Sequence, residues 1–337
     1  MRLRYHIISF LLTMIMLVCT GCQRNVQEEP KVVFQDSVFQ AVFDREGYRE
    51  TIETFTFETI LPTQSQLNQM TALNLHFAEG EDCSLEDLKK FPNLRGLLIR
   101  NASQSVIQQV SEQEQLKALS IEVHEPVNLS SIGTMDNIKA LSISAPGEEA
   151  GKFDWSFIEN MEQLETLYIE RIKLNDLNFL KSLPNLERLV LSNVKIEDIS
   201  ALETLGNLKY LYIYRYDTND VSIVLGNMNH LEQLSLGMVE ITDWGFLKDM
   251  KNLNWLTIRD MKNVKLPEWL LPENYPYLNM LNVDDDIINT NPDIMDQILP
   301  IIEERKKMKE PEPRFYDSRI NFPGILEYME PVETYDN

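Results

Sequence analysis

One apolar phrase, Leu-x-x-Leu-x-Ile/Leu, recurs through the chain as Leu164-Leu167-Ile169, Leu186-Leu189-Leu191, Leu208-Leu211-Ile213, Leu231-Leu234-Leu236 and Leu253-Leu256-Ile258. The phrases begin at 164, 186, 208, 231 and 253, in steps of 22, 22, 23 and 22 residues. Earlier copies start at Ile138, Leu116, Leu94 and, more weakly, Met70, and a later one at Leu278, which gives ten units. Within each phrase apolar and polar residues alternate with the period of a half-buried strand. A second apolar set follows, such as Ile196, Ile199, Leu202 and Leu205. A single unit cannot bury both sets. Stacked neighbours can, with the strands in one parallel sheet and the second set packed behind it.

The pattern resembles the leucine-rich repeats of the internalin type, whose unit of about 22 residues reads LxxLxLxxNxIxDIxxLxxL. Residues 186–205, LERLVLSNVKIEDISALETL, match all but one marked position, and the resemblance covers residues 70 to 283. It implies an α/β solenoid: a curved leucine-rich-repeat horseshoe with a continuous parallel β-sheet on its concave face and short turns or helices on its convex face. The family's asparagine is replaced by Ile172, Val194, Tyr216 and Val239. The turn groups it would satisfy must find neighbours like Asn193, backbone or water, or the turn differs locally.

A second ladder runs through Asn128, Asp154, Asp176, Asp198, Asp220 and Asp243, with Ser105 and Ser84 at the corresponding earlier places. Each is a residue type that caps a turn by accepting a backbone N–H, and one acid per unit suits that local role better than a metal site, which needs several oxygens converging on one point. End units need covers over their apolar faces. Residues 33–69 fit an N-terminal cap, with one helix around Phe39, Val42 and Phe43 and another from Thr63 to Met70. Residues 291–308 fit a capping helix, with Asn291 as N-cap, Pro292 at the first turn, an apolar face of Ile294, Ile298, Ile301 and Ile302, and a kink at Pro300. Between the caps lie the repeats, 70–290, and beyond them an acidic Pro- and Tyr-containing tail, 309–337.

The start of the chain has the layout of a secretory signal peptide: Arg2 and Arg4, an apolar run from Ile7 to Val18, then Cys19-Thr20-Gly21-Cys22. That run is too short for a spanning helix, which needs about 20 apolar residues. Its ending resembles the lipobox of bacterial lipoproteins, which implies removal of residues 1–21, lipidation of Cys22, and a flexible tether over 22–32 that holds the domain at the outer face of a bacterial membrane. Cys83 is left without a partner, so no disulfide staples the fold, and it reads as a small apolar core residue.

With 31 Lys+Arg against 53 Asp+Glu, a formal net charge of -22 repels a phosphate backbone, so nucleic acid is not an expected partner. The four histidines, His6, His76, His124 and His230, have no metal-ligand spacing, and no phosphate loop or nucleophile motif occurs. The chain reads as a monomeric binding protein without a cofactor or metal, and not as an enzyme. Binding is placed on the concave side. The side chains flanking the inward leucines there include Tyr168, Arg188, Tyr210, Tyr212, Tyr214, Trp255 and Arg259, a set rich in the residue types that dominate binding hot spots. The expected ligand is a protein or a glycan; the alternatives are a spacer whose tyrosines serve only the sheet and, third, an enzyme.

Overall fold

The computed structural model describes residues 29–43, 61–78, 81–146, 152–215, 220–268 and 270–307. The leader, Cys22 and the acidic tail lie outside the described residues. Ten strands form one open parallel sheet: β1 (Ala72–His76), β2 (Gly96–Arg100), β3 (Ala118–Glu122), β4 (Ala140–Ser144), β5 (Thr166–Glu170), β7 (Arg188–Ser192), β9 (Tyr210–Tyr214), β10 (Gln233–Gly237), β11 (Trp255–Arg259) and β12 (Met280–Val283). Each strand pairs with the next at equivalent positions, so Leu167 stands beside Leu189 and Leu189 beside Leu211. Two short strands, β6 (Lys173–Asp176) and β8 (Lys195–Asp198), pair separately in the turns that follow β5 and β7. This is a curved leucine-rich-repeat solenoid, one strand per unit.

The core lies between the sheet and the convex side. The second and fourth positions of the strands are buried, as at Leu119, Ile121, Leu167, Ile169, Leu234 and Leu236. Opposite them are the apolar residues of short 3₁₀ turns, among them Phe157 and Ile158, Phe179 and Leu180, Ala201 and Leu202, and Phe246 and Leu247. Removing one such leucine leaves a void of several methylenes, at about 2–5 kcal/mol each.

The turn after the strand replaces the missing asparagine in two ways. Ile172, Val194 and Val239 are themselves buried and add a rung to the core. The residue before each of them is left-handed: Arg171, Asn193 and Met238 have φ of 56°, 53° and 52°, and Asn101, Arg215 and Asp260 repeat the conformation. This flips the chain so that the peptide N–H continues the ladder: Arg171 donates to Ser192 O at 3.0 Å, Asn193 to Tyr214 O at 2.7 Å and Arg215 to Gly237 O at 2.8 Å. Backbone thus answers backbone, and no side-chain amide is required.

The Asx ladder opens the convex turns. The side-chain oxygens of Asn128, Asp154, Asp176, Asp198, Asp220 and Asp243 each accept the N–H two residues on, at 2.8–3.0 Å. In the unit with helix α2 (Gln104–Ser111) the expectation shifts by two residues: Ser103, not Ser105, is the N-cap and accepts from Val106 N, while Ser105 lies inside the helix. Asp220 does more than its counterparts, reaching Thr242 of the next unit with both oxygens.

At the N-terminal end residues 37–43 are helical, and α1 (Gln64–Leu67), which precedes α2 in the chain, is closed by a capping box of Thr63 and Gln66. Phe34, Phe39, Phe43 and Phe91 stack with centroids 5.1–6.0 Å apart over the first unit. Buried Asp87 fastens this cover by accepting Gln35 N at 2.6 Å and Asp36 N at 3.1 Å, with Lys90 beside it.

A one-turn α3 (Ser222–Leu225) replaces the 3₁₀ turn of its unit, and α4 (Asp285–Thr290) and α5 (Pro292–Lys307) close the far end. Asp284, Asp285 and Asp286 form the N-cap and first turn of α4, where negative charge meets the helix dipole. Two expectations change here. The side chain of Asn291 turns inward, accepting Leu266 N at 2.8 Å and donating to Val264 O at 2.8 Å, instead of capping α5. The buried face of α5 is Met295, Ile298 and Ile302, with Ile301 38% exposed, and the helix runs on through Pro300.

Candidate functional site

The sheet presents three rows of side chains on its concave face, from strand positions one, three and five. The first row runs Ala118, Ala140, Thr166, Arg188, Tyr210, Gln233, Trp255; the third Ser120, Ser142, Tyr168, Val190, Tyr212, Ser235, Thr257; the fifth Glu122, Ser144, Glu170, Ser192, Tyr214, Gly237, Arg259.

The two halves of this face differ. Across β2 to β7, Leu98, Ala118, Ala140, Tyr168 and Val190 pack into a second apolar cluster outside the main core. Tyr168 is only 7% exposed and belongs to this cluster, which removes it from the expected recognition patch. The polar groups above it are mutually engaged. Arg171 donates to Glu122 at 3.1 Å and to Ser144 Oγ at 2.9 Å, and Ser144 donates to Glu170 at 3.2 Å. That half of the face is closed by its own contacts.

Across β7 to β11 the face opens. Tyr210, Tyr212, Tyr214 and Trp255 are all half-buried, so each keeps one side against the sheet and one toward solvent. The Arg188 guanidinium lies 4.6 Å from the centre of the Tyr210 ring, and the Tyr212 and Tyr214 rings stack at 6.1 Å. Tyr214 donates to Asp260 Oδ2 at 2.9 Å, and Trp255 Nε1 to Thr257 Oγ1 at 2.9 Å. The hydrogen bond to Asp260, then burial, holds the Tyr214 phenol above its usual range. Between the aromatics of β9 and Trp255 of β11 runs β10, whose outward residues are Gln233, directly between Tyr210 and Trp255, and the small Ser235 and Gly237, the last covered by the Tyr214 ring. The result is a shallow trough centred on Ser235, bordered by the β9 tyrosines on one side and by Trp255 diagonally across, and Arg259 stands exposed at its end. Of the seven residues singled out in the sequence, six border this trough and Tyr168 does not.

A feature of the opposite rim was legible in the sequence and missed. The residue before the first leucine of most units is Asn or a stand-in, and its side chain donates to a backbone carbonyl of the preceding unit. Asn93 reaches Asn68 O, Asn137 Glu114 O, Asn185 Glu162 O and Asn207 Pro184 O, at 2.7–2.9 Å, and His230 reaches Leu205 O at 2.9 Å. The repeated Asn-Leu or Asn-Ile pair was the available signal.

Among the described residues no group of three or more His, Cys, Asp or Glu side chains could hold a metal ion, and no helix is long and apolar enough to cross a membrane. Cys83 is half-buried and packs against the core; burial first, then Asp36, Glu81 and Asp82, push its thiol up to about 11, so it stays protonated.

The chain matches no known family model, and no curated protein matches it in sequence. Among solved structures it is similar to the internalin InlF of Listeria monocytogenes, at 22% identity over 77% of this chain and 82% of that one, with a TM-score of 0.44. A second internalin of that organism, internalin C2, aligns at 20% identity over 76% of this chain and all of its own, with a TM-score of 0.41. A leucine-rich-repeat protein of Leptospira interrogans aligns at 20% identity over 65% of this chain and 56% of its own, with a TM-score of 0.47. The assignment to the leucine-rich-repeat fold rests on the strand order and register above.

Proposed function

We propose that this chain is an exported binding protein, held at the outer face of a bacterial membrane through a lipidated Cys22, that grips a macromolecular ligand, protein or glycan, in the trough over β9 to β11. The observation that carries the reading is a group of half-buried aromatics on the two strands that flank β10. Tyr210 faces Trp255 across Gln233, Tyr212 stands beside Ser235, and the Tyr214 ring lies over Gly237. Stability alone does not ask for large aromatics on an open face, whereas a broad rigid surface with polar edges is what interface anchors provide. Arg188 and Arg259 add the two cations of the trough in a chain of net charge -22, which favours a ligand carrying carboxylates.

One observation favours the spacer reading instead: Tyr214 and Trp255 each spend a polar atom on a neighbour, as structural aromatics do. The deciding experiment is crosslinking of the mature chain to envelope components, compared with the double variant Tyr212→Ala, Trp255→Ala. Equal capture by a folded double variant removes the trough from consideration.

A further inference from the structure

The rim ladder of asparagines fails at its last rungs, and a cleft of about 720 Å³ opens where it fails. Asn252, in line with the four bonded asparagines, makes no such bond among the described residues, and the next position is not an amide at all but Tyr277, 62% exposed. His230, Glu232, Asn252, Asn254, Tyr277 and Asn279 line the cleft in two rows just ahead of β10, β11 and β12. The strand register fixes the spacing of the rows at about 4.8 Å per unit.

We infer that this cleft is a binding site for a neutral oligosaccharide, separate from the concave trough. Three features carry it. The first is an orphan: Asn254 lines the cleft, yet its Oδ1 is turned inward with no hydrogen-bond partner in the protein, a costly state that rotation of the amide toward a donor in the cleft would relieve. The second is the Tyr277 ring, a flat apolar platform on a polar rim, of the kind on which the C–H face of a sugar ring packs while its hydroxyls stay wet. The third is the type of polar group on offer. Glu232 O already accepts Asn254 N at 2.8 Å, and Asn254 O accepts Asn279 N at 3.0 Å and Met280 N at 3.2 Å.

These backbone groups at the starts of β10, β11 and β12 are therefore engaged with one another. What remains are the carboxamides of Asn252, Asn254 and Asn279 and the carboxylate of Glu232. Each amide offers a donor and an acceptor side by side, which matches hydroxyl groups that do both. The one cation lining the cleft, Arg305, already spends Nη1 on Tyr275 O at 2.7 Å and Leu278 O at 2.8 Å, so an anionic ligand would find Glu232 and little to offset it. The volume lies within the roughly 300–1,000 Å³ of small-ligand sites.

The test is titration of the mature chain with cellotetraose, chitotetraose and maltotetraose by calorimetry and saturation-transfer NMR. At least one should bind. Tyr277→Ala should weaken it about tenfold or more, and Tyr277→Phe should change it by less than about threefold, since the ring is retained. Asn254→Ala should weaken binding without lowering the denaturation midpoint, because it removes an unsatisfied oxygen; a merely structural Asn254 would show no binding change. Tyr212→Ala, in the trough, should leave the sugar affinity as it was, which separates this site from the reading of the concave face. Absence of binding to all three sugars, affinity that survives Tyr277→Ala, or displacement of the sugar signal by short peptides in place of competing oligosaccharides would each overturn the assignment.

Discussion

Tyr214 reaches Asp260 directly over Gly237, and the bond exists because that glycine has no side chain. A Cβ on Gly237 would stand 2.6 Å from Cδ2 of the tyrosine ring and 3.2 Å from Arg259 O. Gly237→Ala is therefore expected to push the ring off its place and break the bond. Asp260→Asn tests the same contact electrostatically. It should bring the Tyr214 phenol down toward the usual tyrosine range, because a carboxylate favours the protonated donor more than an amide does. A phenol raised in the folded state stabilises below its unfolded value, near pH 10, and that stability is lost as pH rises through the folded one. Ultraviolet titration of wild type against Asp260→Asn reads the shift; identical curves would refute the coupling.

Tyr168 and Tyr212 occupy the same row two strands apart and should behave differently. Tyr168→Ala empties a packed site and is expected to cost about 2–4 kcal/mol of stability. Tyr212→Ala should cost less than about 1.5 kcal/mol and weaken ligand binding by about 1–3 kcal/mol. Denaturant midpoints for the two variants, measured together, decide this without knowledge of the ligand.

The Asx ladder makes the fold acid-sensitive. Backbone hydrogen bonds from Ser156 and Ser200 hold the carboxyls of Asp154 and Asp198 below their ordinary value. At Asp220 burial pushes upward, but Thr242 and Ser222 outweigh it and the net direction is down. Groups lowered on folding stabilise above their unfolded pKa and lose that contribution as pH falls through the folded one. Stability is thus expected to be flat in this respect from pH 7 to about pH 5 and to fall below about pH 4. Asp220→Ala should remove about 0.5–2 kcal/mol at pH 7 and flatten the acid limb; Asp198→Ala should lower the midpoint in the same sense. An acid limb unchanged in Asp220→Ala would sink the account.

Met238 holds a left-handed conformation with an unbranched apolar side chain, 42% exposed, that gains little from being there. Relief of about 1–2 kcal/mol of steric cost, less about 0.5–1 kcal/mol for the added freedom of the unfolded chain, leaves Met238→Gly more stable by up to about 1.5 kcal/mol. A lower melting temperature for the variant would show that the side chain contributes more than its exposure suggests.

Lipidation is read most directly by mass. Intact-mass analysis of the membrane fraction should show a chain beginning at Cys22 with added acyl groups, and Cys22→Ala should leave the protein unprocessed or released. An unmodified mature chain in the membrane fraction contradicts the proposed anchor.

The fold was legible because its information is periodic: a leucine repeated at a fixed step leaves one way to bury itself, so Leu186, Leu189 and Leu191 declare their strand before any contact is known. The trough was legible only in part. Alternation tells which residues leave the core, and it placed Tyr168 with Tyr212 because both occupy position three. It carries no information on what flanks them across the sheet, and Tyr168 is buried by Ala140 and Val190 of the neighbouring strands. The left-handed turns were illegible for a related reason. Arg171 and Met238 have no propensity for that conformation, and the stacked backbone ladder imposes it on them.

Because the strand ladder of each unit pairs only with the units on either side, the chain is also a length standard. Excising residues 186–207, one full period, would bring Leu208 directly after Asn185 and set β9 beside β5 with the leucine, Asx-turn and rim-amide positions still aligned. The molecule would be shorter by one strand spacing, about 4.8 Å, and otherwise continuous. Reach, in such an object, is a number of copies and is adjustable by recombination without redesigning a single contact of the caps.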